Sequence, residues 1–481
     1  MSREFLSNAV LLVALNFAIK AFYLFGIDRT VQNALPNGEY GLYFTLFNFA
    51  FIFQIINDFG LQNYNSSHLA RSRHLLVKYF PHLVILKLML AGAYLLLTGL
   101  VGYLWGFSGA AWALLLLVGL NQTLQSGVLF LRSNLSGLGK YRADSFFSVL
   151  DRALLILITS AMLWGWPGIH AIRIEWFAGA QTLAYGLTLG LGLALLSPHL
   201  RHLQWQWNPA ILLNLLRRSA PYALVVFLMT FYTRLDAVMI EKLLPDGLLE
   251  ADRYASAYRL LDAANVAGFL VAGLLLPMFA RLLAQKEPVA ELVRLGFQTL
   301  WAGAVGLAAA CWFFQQPIME ALYASGDAYS GRIMGWLMLS FVPMSVAYVH
   351  GSLLTAQGKL GAMNKLFALG VVVNLCLNYV LIRQYGALGA AQATFITQGG
   401  IFITQLGLAV RQLELRTDWG WVLRLLGFAL AAGVSAWAWH HVAWDVPWVV
   451  KFVLAILTAL FWAFPFRLIA LRQWLGLISR K

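Results

Sequence analysis

The chain has 481 residues, 60% of them hydrophobic and 11% charged, with 32 Phe, 18 Trp and 18 Tyr. Soluble domains carry about 25% charged and about 45–50% apolar residues, so a water-soluble globular protein is excluded and a polytopic membrane protein is expected. The formal net charge of +14 sits in short loops between apolar runs, where it reports membrane topology and not nucleic-acid binding.

Apolar runs long enough to cross a bilayer, roughly 17–25 residues each, recur from end to end. The first, 6–26, lacks a small-residue cleavage pattern after it, so it reads as a retained span and not as a removable signal peptide. It carries Lys20 and ends at the pair Asp28–Arg29. The second, 40–61, follows LPNGEYGLYF and closes on FQIINDFGLQNYN, which gathers Asn57, Asp58, Gln62, Asn63 and Asn65 at its cytoplasmic end. Asp58 with Gly60 reads as a gating feature or, equally, as a simple helix-end turn. Spans three to six lie at 82–105, 110–131, 147–166 and 174–196. Lys87 and the pair Asp151–Arg152 fall one or two turns inside their spans, can snorkel to headgroups, and are assigned no role.

The seventh span, 219–240, follows the basic pair Arg217–Arg218 and carries Arg234 and Asp236; the eighth, 256–280, carries Arg259 and Asp262. Spans nine to twelve follow at 293–314, 334–356, 365–382 and 388–410, and a trailing pair at 420–439 and 448–466 brings the expected total to fourteen. His350 reads as a hydrogen-bonded core histidine. Pro221, Pro277 and Pro343 fall in or near spans and can kink them. Cys311 and Cys376 both lie in apolar runs, which suggests no disulfide framework. His440, His441 and Asp445 sit in the aromatic turn WHHVAWDVPW and read as solvent-facing groups, not a metal site. No nucleophile–base constellation or glycine-rich phosphate loop occurs, so the chain is not expected to be an enzyme.

Lys and Arg test this scheme. The loops opposite the N-terminus carry only Arg29, Arg173, Lys242, Arg253, Arg332 and Arg383, while the remaining loops and both termini hold most of the other cations. That alternation predicts an even number of spans with cytoplasmic N- and C-termini. An internal repeat also emerges: LPNGEYG answers LPDG and DRYASAY, and Gly139–Lys140 recurs as Gly358–Lys359, 219 residues later. Six spans per half means that both halves enter from the same side, a parallel repeat. The expected fold is therefore an all-α polytopic membrane protein of about fourteen transmembrane helices, with two parallel six-helix lobes (1–200 and 201–412) plus two C-terminal helices (413–481).

Charges at membrane depth are costly unless they face a bundle interior or a wet cavity. Lys20, Arg29, Arg234 and Arg259 are expected to line a central cavity between the halves and attract an anion, most simply a phosphate or diphosphate. A second reading stays open. Arg259 and Asp262, three residues apart, can pair with each other, and Lys20 and Arg29 can snorkel. Asp28, Asp58, Asp236 and Asp262 are candidates for coupling or gating, with no specific sodium or proton motif.

The order of these features resembles a known family. A first span ending in a charged pair, the loop LPNGEYGLYF, and a second span closing on Asp58, Phe59, Gly60 and Leu61 are similar to the N-terminal signature of the polysaccharide-biosynthesis flippases. These are the O-antigen and exopolysaccharide branch of the multidrug/oligosaccharidyl-lipid/polysaccharide exporter superfamily. Asp236 late in the seventh span and Tyr254–Tyr258 opening the eighth match its second-half pattern. The resemblance implies a MATE-like, multi-pass carrier of the bacterial inner membrane that moves an undecaprenyl-diphosphate-linked oligosaccharide from the cytoplasmic to the outer leaflet by alternating access. It implies no cofactor beyond a proton or sodium gradient. The partners implied are membrane lipids, a polysaccharide polymerase and glycosyltransferases, and a monomer is the default because one chain already holds both lobes. The competing readings are a cation-coupled multidrug exporter, which wants deep acidic residues, and a polysaccharide polymerase or ligase, which wants a large outer loop.

Overall fold

Residues 18–60, 74–137, 140–165, 172–200, 209–413 and 419–468 are described in the computed structural model, and among them every regular element is helical. The expected first span lies mostly outside these residues and is represented from residue 18 onward. Its helix passes through a π-helical segment, Tyr23–Asp28, into α1 (Arg29–Ala34). The second span is α2 (Glu39–Ile52) and α3 (Gln54–Asp58), divided at Phe53. Next come α4 (His74–Trp105), α5 (Gly109–Gly137), α6 (Tyr141–Ser160) with a π-helical tail at Ala161–Gly165, α7 (Ile174–Leu200) and α8 (Pro209–Leu243). Then follow α9 (Gly247–Ala284), α10 (Ala290–Phe313), α11 (Gln315–Leu322), α12 (Ala328–Ala356), α13 (Leu360–Tyr385), α14 (Ala387–Leu413), α15 (Trp419–His441) and α16 (Trp448–Trp462).

Eleven helices among the described residues are long and apolar enough to cross a membrane, and they match expected spans three to thirteen one for one. The second span is broken, and the fourteenth, α16, is 15 residues long. One element was not anticipated: α11 fills what the hydropathy pattern gives as a plain loop.

By compactness the chain divides into two units, Met1–Glu241 and Lys242–Lys481. This grouping places nearly all of α8 with the first unit, whereas the division expected from the repeat begins its second lobe at 201.

In the first unit α5 packs against α2, α4, α6 and α7. Tyr40, Tyr43 and Tyr94 are fully buried there, and Tyr94 donates its hydroxyl to the Ala50 carbonyl at 3.1 Å. A second apolar cluster joins Leu83, Leu86, Phe130, Leu131, Phe147 and Leu196. In the second unit α12 is the hub, with α9, α10 and α14 around it. The trailing pair α15–α16 packs on α10, where Trp301 donates its indole N–H to the Leu425 carbonyl at 3.2 Å.

The repeated motifs adopt the same local chemistry in each unit. Lys140 N–H bonds the Leu135 carbonyl at 2.9 Å, and Lys359 N–H bonds the Leu354 carbonyl at 3.0 Å. Both bonds close a helix end in the Schellman manner and both lysines cap the next helix. Four residues on, the N–H groups of Asp144 and Met363 return to the carbonyls of these two lysines.

A polar clasp holds three helix ends of the second unit together. The Glu250 carboxylate on α9 accepts the Tyr329 hydroxyl at 2.7 Å, the Ala387 backbone N–H at 2.9 Å, and an Arg253 N–H at 2.9 Å. Tyr329 also reaches the Tyr385 carbonyl at 3.1 Å. Between α13 and α14 the chain turns at Gly386 with φ +65°, where a Cβ would lie 2.6 Å from the Tyr329 hydroxyl; only glycine satisfies both the angle and the space.

Candidate functional site

The first unit carries most of the candidate charges. The π-helical segment ends on Asp28, a 1% exposed carboxylate that accepts the Tyr40 hydroxyl from α2 at 2.8 Å. π-helical turns are rare and recur at functional sites, because the extra residue re-aims the side chains around it. Arg29 follows at once, half-buried, with its Nε buried and without a hydrogen-bond partner among the described residues. Lys20 lies two turns earlier and is exposed. Beside these, α2, α5 and α7 share a hydrogen-bonded row: Gln181 donates to the Tyr43 hydroxyl at 2.7 Å, and Asn121 donates to the Ala178 carbonyl at 2.8 Å while accepting from Thr182 at 2.6 Å.

Arg234 lies late in α8. Its guanidinium stands 5.1 Å from the Phe51 ring centroid and 3.5 Å from the Asn48 side-chain oxygen. The cation–π geometry is within the range that stabilises arginine in a dry setting, and the Asn48 contact is at the long end of hydrogen bonding. Asp236, two residues on, is 1% exposed. Thr45 on α2 reaches the Ala237 carbonyl at 3.4 Å, so α2 and α8 are adjacent along this stretch.

In the second unit Arg259 and Asp262 approach to 3.9 Å. That is a charge contact, longer than a hydrogen bond. One turn further, Asn265 accepts the Tyr348 hydroxyl from α12 at 3.0 Å, which extends a polar stripe along α9. Tyr254 and Tyr258, which carry part of the family pattern, are buried with ring centroids 5.6 Å apart. His350 is 2% exposed and packs edge-on against Phe297.

Two sequence expectations require correction. Lys87 does not snorkel. Its residue is 7% exposed, and its ammonium donates to the Asn57 carbonyl at 2.9 Å, to Asp58 at 3.2 Å and to the Ser126 hydroxyl. Lys87 thereby pins the broken end of the second span, where Phe59 (φ 47°) and Gly60 (φ 79°) turn left-handed. Asp58 is therefore both a helix-end residue and an ion-pair partner. Arg152 likewise lies against another helix. The helix starts at Tyr141, six residues before the expected boundary, and Arg152 stacks on Tyr23, its Cζ 4.8 Å from the ring centroid.

No group of three or more His, Cys, Asp or Glu residues that could hold a metal occurs among the described residues. Asn63 and Asn65 lie outside them.

Comparison with known proteins adds the following. The model of a family described as polysaccharide biosynthesis protein matches residues 8–283, more than half of the chain. No curated protein sequence matches. Among solved structures, the fold is similar to a lipid II flippase, MurJ, in an inward closed conformation, at 13% identity and a TM-score of 0.70, covering 95% of this chain and 98% of that one. It is also similar to an inward-facing multidrug resistance transporter of the MATE family and MOP superfamily, at 16% identity and a TM-score of 0.62, covering 82% and 94%. A MOP superfamily transporter from Pyrococcus furiosus, described as having a binding pocket of reverse polarity, matches at 15% identity and a TM-score of 0.59, covering 84% and 94%.

Proposed function

The chain belongs to the polysaccharide biosynthesis protein family, and from that premise we propose that it carries an undecaprenyl-diphosphate-linked oligosaccharide from the cytoplasmic to the outer leaflet of the bacterial inner membrane. The observation that carries this reading is the buried Arg29 Nε, a cationic donor with no partner among the described residues. A buried donor left unmade costs the full desolvation of that group. An arriving phosphate oxygen would repay it with a charge-assisted hydrogen bond. Within the first unit Lys20 and Arg234 supply further positive charge, with Asn48 beside Arg234; the second unit carries its own in Arg259, with Asn265, bonded to Tyr348, further along the same helix, and such side chains offer the donors and acceptors that sugar hydroxyls need.

Transport proceeds by alternating exposure of these groups to the two leaflets, with both termini cytoplasmic. The units of duplication are 1–200 and 201–412, and 413–481 is an appended pair. Of the candidate coupling carboxylates, Asp58 is committed to Lys87, and Asp262 stands 3.9 Å from Arg259. Asp28 and Asp236 are the more deeply buried pair and the better candidates for linking transport to a proton or sodium gradient. The protein works as a monomer beside the polymerase and glycosyltransferases of its pathway.

The test is translocation of a lipid-linked oligosaccharide by the purified protein in liposomes. Hydrogen bonds to charged groups contribute about 1.5–3 kcal/mol, so Arg234→Gln and Arg259→Gln should each slow transport roughly 10- to 100-fold. Wild-type liposomes that do not move the lipid, or that move cationic drugs in its place, would favour the exporter reading and end this one.

A further inference from the structure

Arg152 is the residue whose position departs furthest from what hydropathy suggests. The candidate span runs Ala143–Gly165, and Arg152 stands nine residues past its start, about 14 Å along the helix axis at ~1.5 Å per residue. That is close to the middle of a hydrocarbon core of roughly 30 Å, where a cation calls for a bundle interior, a wet cavity or a partner. Among the described residues its guanidinium has neither an ion pair nor a hydrogen bond. It lies against the Tyr23 ring, with Tyr185, Asp151 and Tyr43 nearby. Asp151 accepts the backbone N–H of Arg152 at 2.8 Å, and Asp28, whose carboxylate holds the Tyr40 hydroxyl, lies near the same Tyr23.

Lys20 belongs to the same locality. It precedes Tyr23 by one helical turn, so the two share a helix face, and it is exposed. It feels Arg152 and Arg132 as like charges and Asp151 as the opposing one. Arg132 is itself occupied by Asp144 at 2.8 Å. Two cations without carboxylate partners thus lie within electrostatic reach of each other, Arg152 over the Tyr23 ring and Lys20 one turn before it, at the residue where the helix turns π-helical. Mutual repulsion makes that arrangement unfavourable until an anion enters between them. A phosphate suits it, because a guanidinium held against a ring keeps N–H groups free to act as a two-pronged donor while lysine supplies a mobile point charge.

We infer that Lys20 and Arg152, floored by Tyr23, form one pocket in the first unit that binds a phosphate or diphosphate group. The inference deepens the lipid-linked reading and rests on it for the identity of the cargo. An anionic phospholipid headgroup offers the same chemistry, so the test has to separate the two.

The experiment titrates inorganic diphosphate into full-length protein held in nanodiscs of phosphatidylcholine, with binding followed calorimetrically. Lys20→Gln and Arg152→Gln should each weaken binding at least about 10-fold, Arg152→Lys should fall between wild type and Arg152→Gln, and Lys359→Gln, far along the sequence and exposed, should bind as wild type. Nanodiscs containing phosphatidylglycerol separate the sources: loss of diphosphate binding there assigns the pocket to headgroups as well, and unchanged binding reserves it for the diphosphate. Lys20 is exposed, so Lys20→Gln stays informative if Arg152→Gln does not fold. Diphosphate binding that is absent from wild type, or unaltered by Lys20→Gln and by Arg152→Lys, overturns the pocket. Translocation by the wild type together with unaltered binding in these variants sinks only this inference. Charge-dependent binding without translocation sinks only the proposed function.

Discussion

Lys87 and Asp58 give the sharpest quantitative test of how the first unit is held together, because their side chains are unequally buried: 9% and 22% exposed, 3.2 Å apart. Breaking a fully buried pair by removing one partner costs about 3–5 kcal/mol. Asp58 is partly open to solvent, which screens the interaction, so we take about 2–3 kcal/mol for Asp58→Ala, which strands the ammonium with only Asn57 and Ser126. Lys87→Met removes the buried charge itself and leaves a carboxylate that water can reach, and its cost should be only about 1 kcal/mol in lost hydrogen bonds. The double substitution should resemble Lys87→Met alone, a coupling of about 2–3 kcal/mol. For a unit of 241 residues, each kcal/mol moves the midpoint by about 2–4 °C. Thermal unfolding in detergent, followed by tryptophan fluorescence, should therefore show Asp58→Ala lower by about 5–10 °C and Lys87→Met by about 2–4 °C. Equal losses for the two single variants, or a double variant that sums them, would refute the asymmetry argument.

Other consequences are tested in the same way. Gly386→Ala adds a Cβ at φ +65°, 2.6 Å from the Tyr329 hydroxyl and 2.7 Å from the Glu250 carboxylate; the strain, together with the displaced clasp, should cost roughly 2–3 kcal/mol and lower the unfolding midpoint. Tyr40→Phe strips a hydrogen bond from buried Asp28 and should destabilise by about 1–3 kcal/mol; if Asp28 couples transport to protons, the pH profile of translocation should move as well. Asp327 caps α12, accepting the Ser330 N–H at 2.7 Å. Burial pulls its carboxyl upward, but the bonds from Ser330 outweigh this and hold it below its usual value. A depressed folded-state value means that the cap's contribution, about 1 kcal/mol, is complete above pH ~4 and is lost as pH falls through the folded value. Asp327→Ala should therefore lower the midpoint at pH 7, and the difference from wild type should vanish on acidification.

The architecture was legible in the sequence where a single physical rule governs. Apolar length alone marks α4 to α10 and α12 to α15, because any such run must be helical in lipid to satisfy its own backbone. The turn at Gly358–Lys359 and its counterpart before α6 were visible for a similar reason, since glycine and the residue after it close a helix end locally. The break at Phe53 was not visible, because the run FNFAFIFQIIND holds neither proline nor glycine to mark a kink.

The candidate site divides along the same line. The expectation that Lys20, Arg29, Arg234 and Arg259 are charges at membrane depth comes from counting residues along each span. Which of them meets what does not follow, because partners such as Lys87 and Asp58, Arg152 and Tyr23, or Glu250 and Ala387 lie from 29 to 137 residues apart. Hydropathy and charge are properties of position along one helix, and they determined that this chain is a many-spanned membrane protein with costly buried charges. Whether each cost is met by a neighbouring side chain or left for an incoming anion is a property of distances between helices, and only the packed structure decided that.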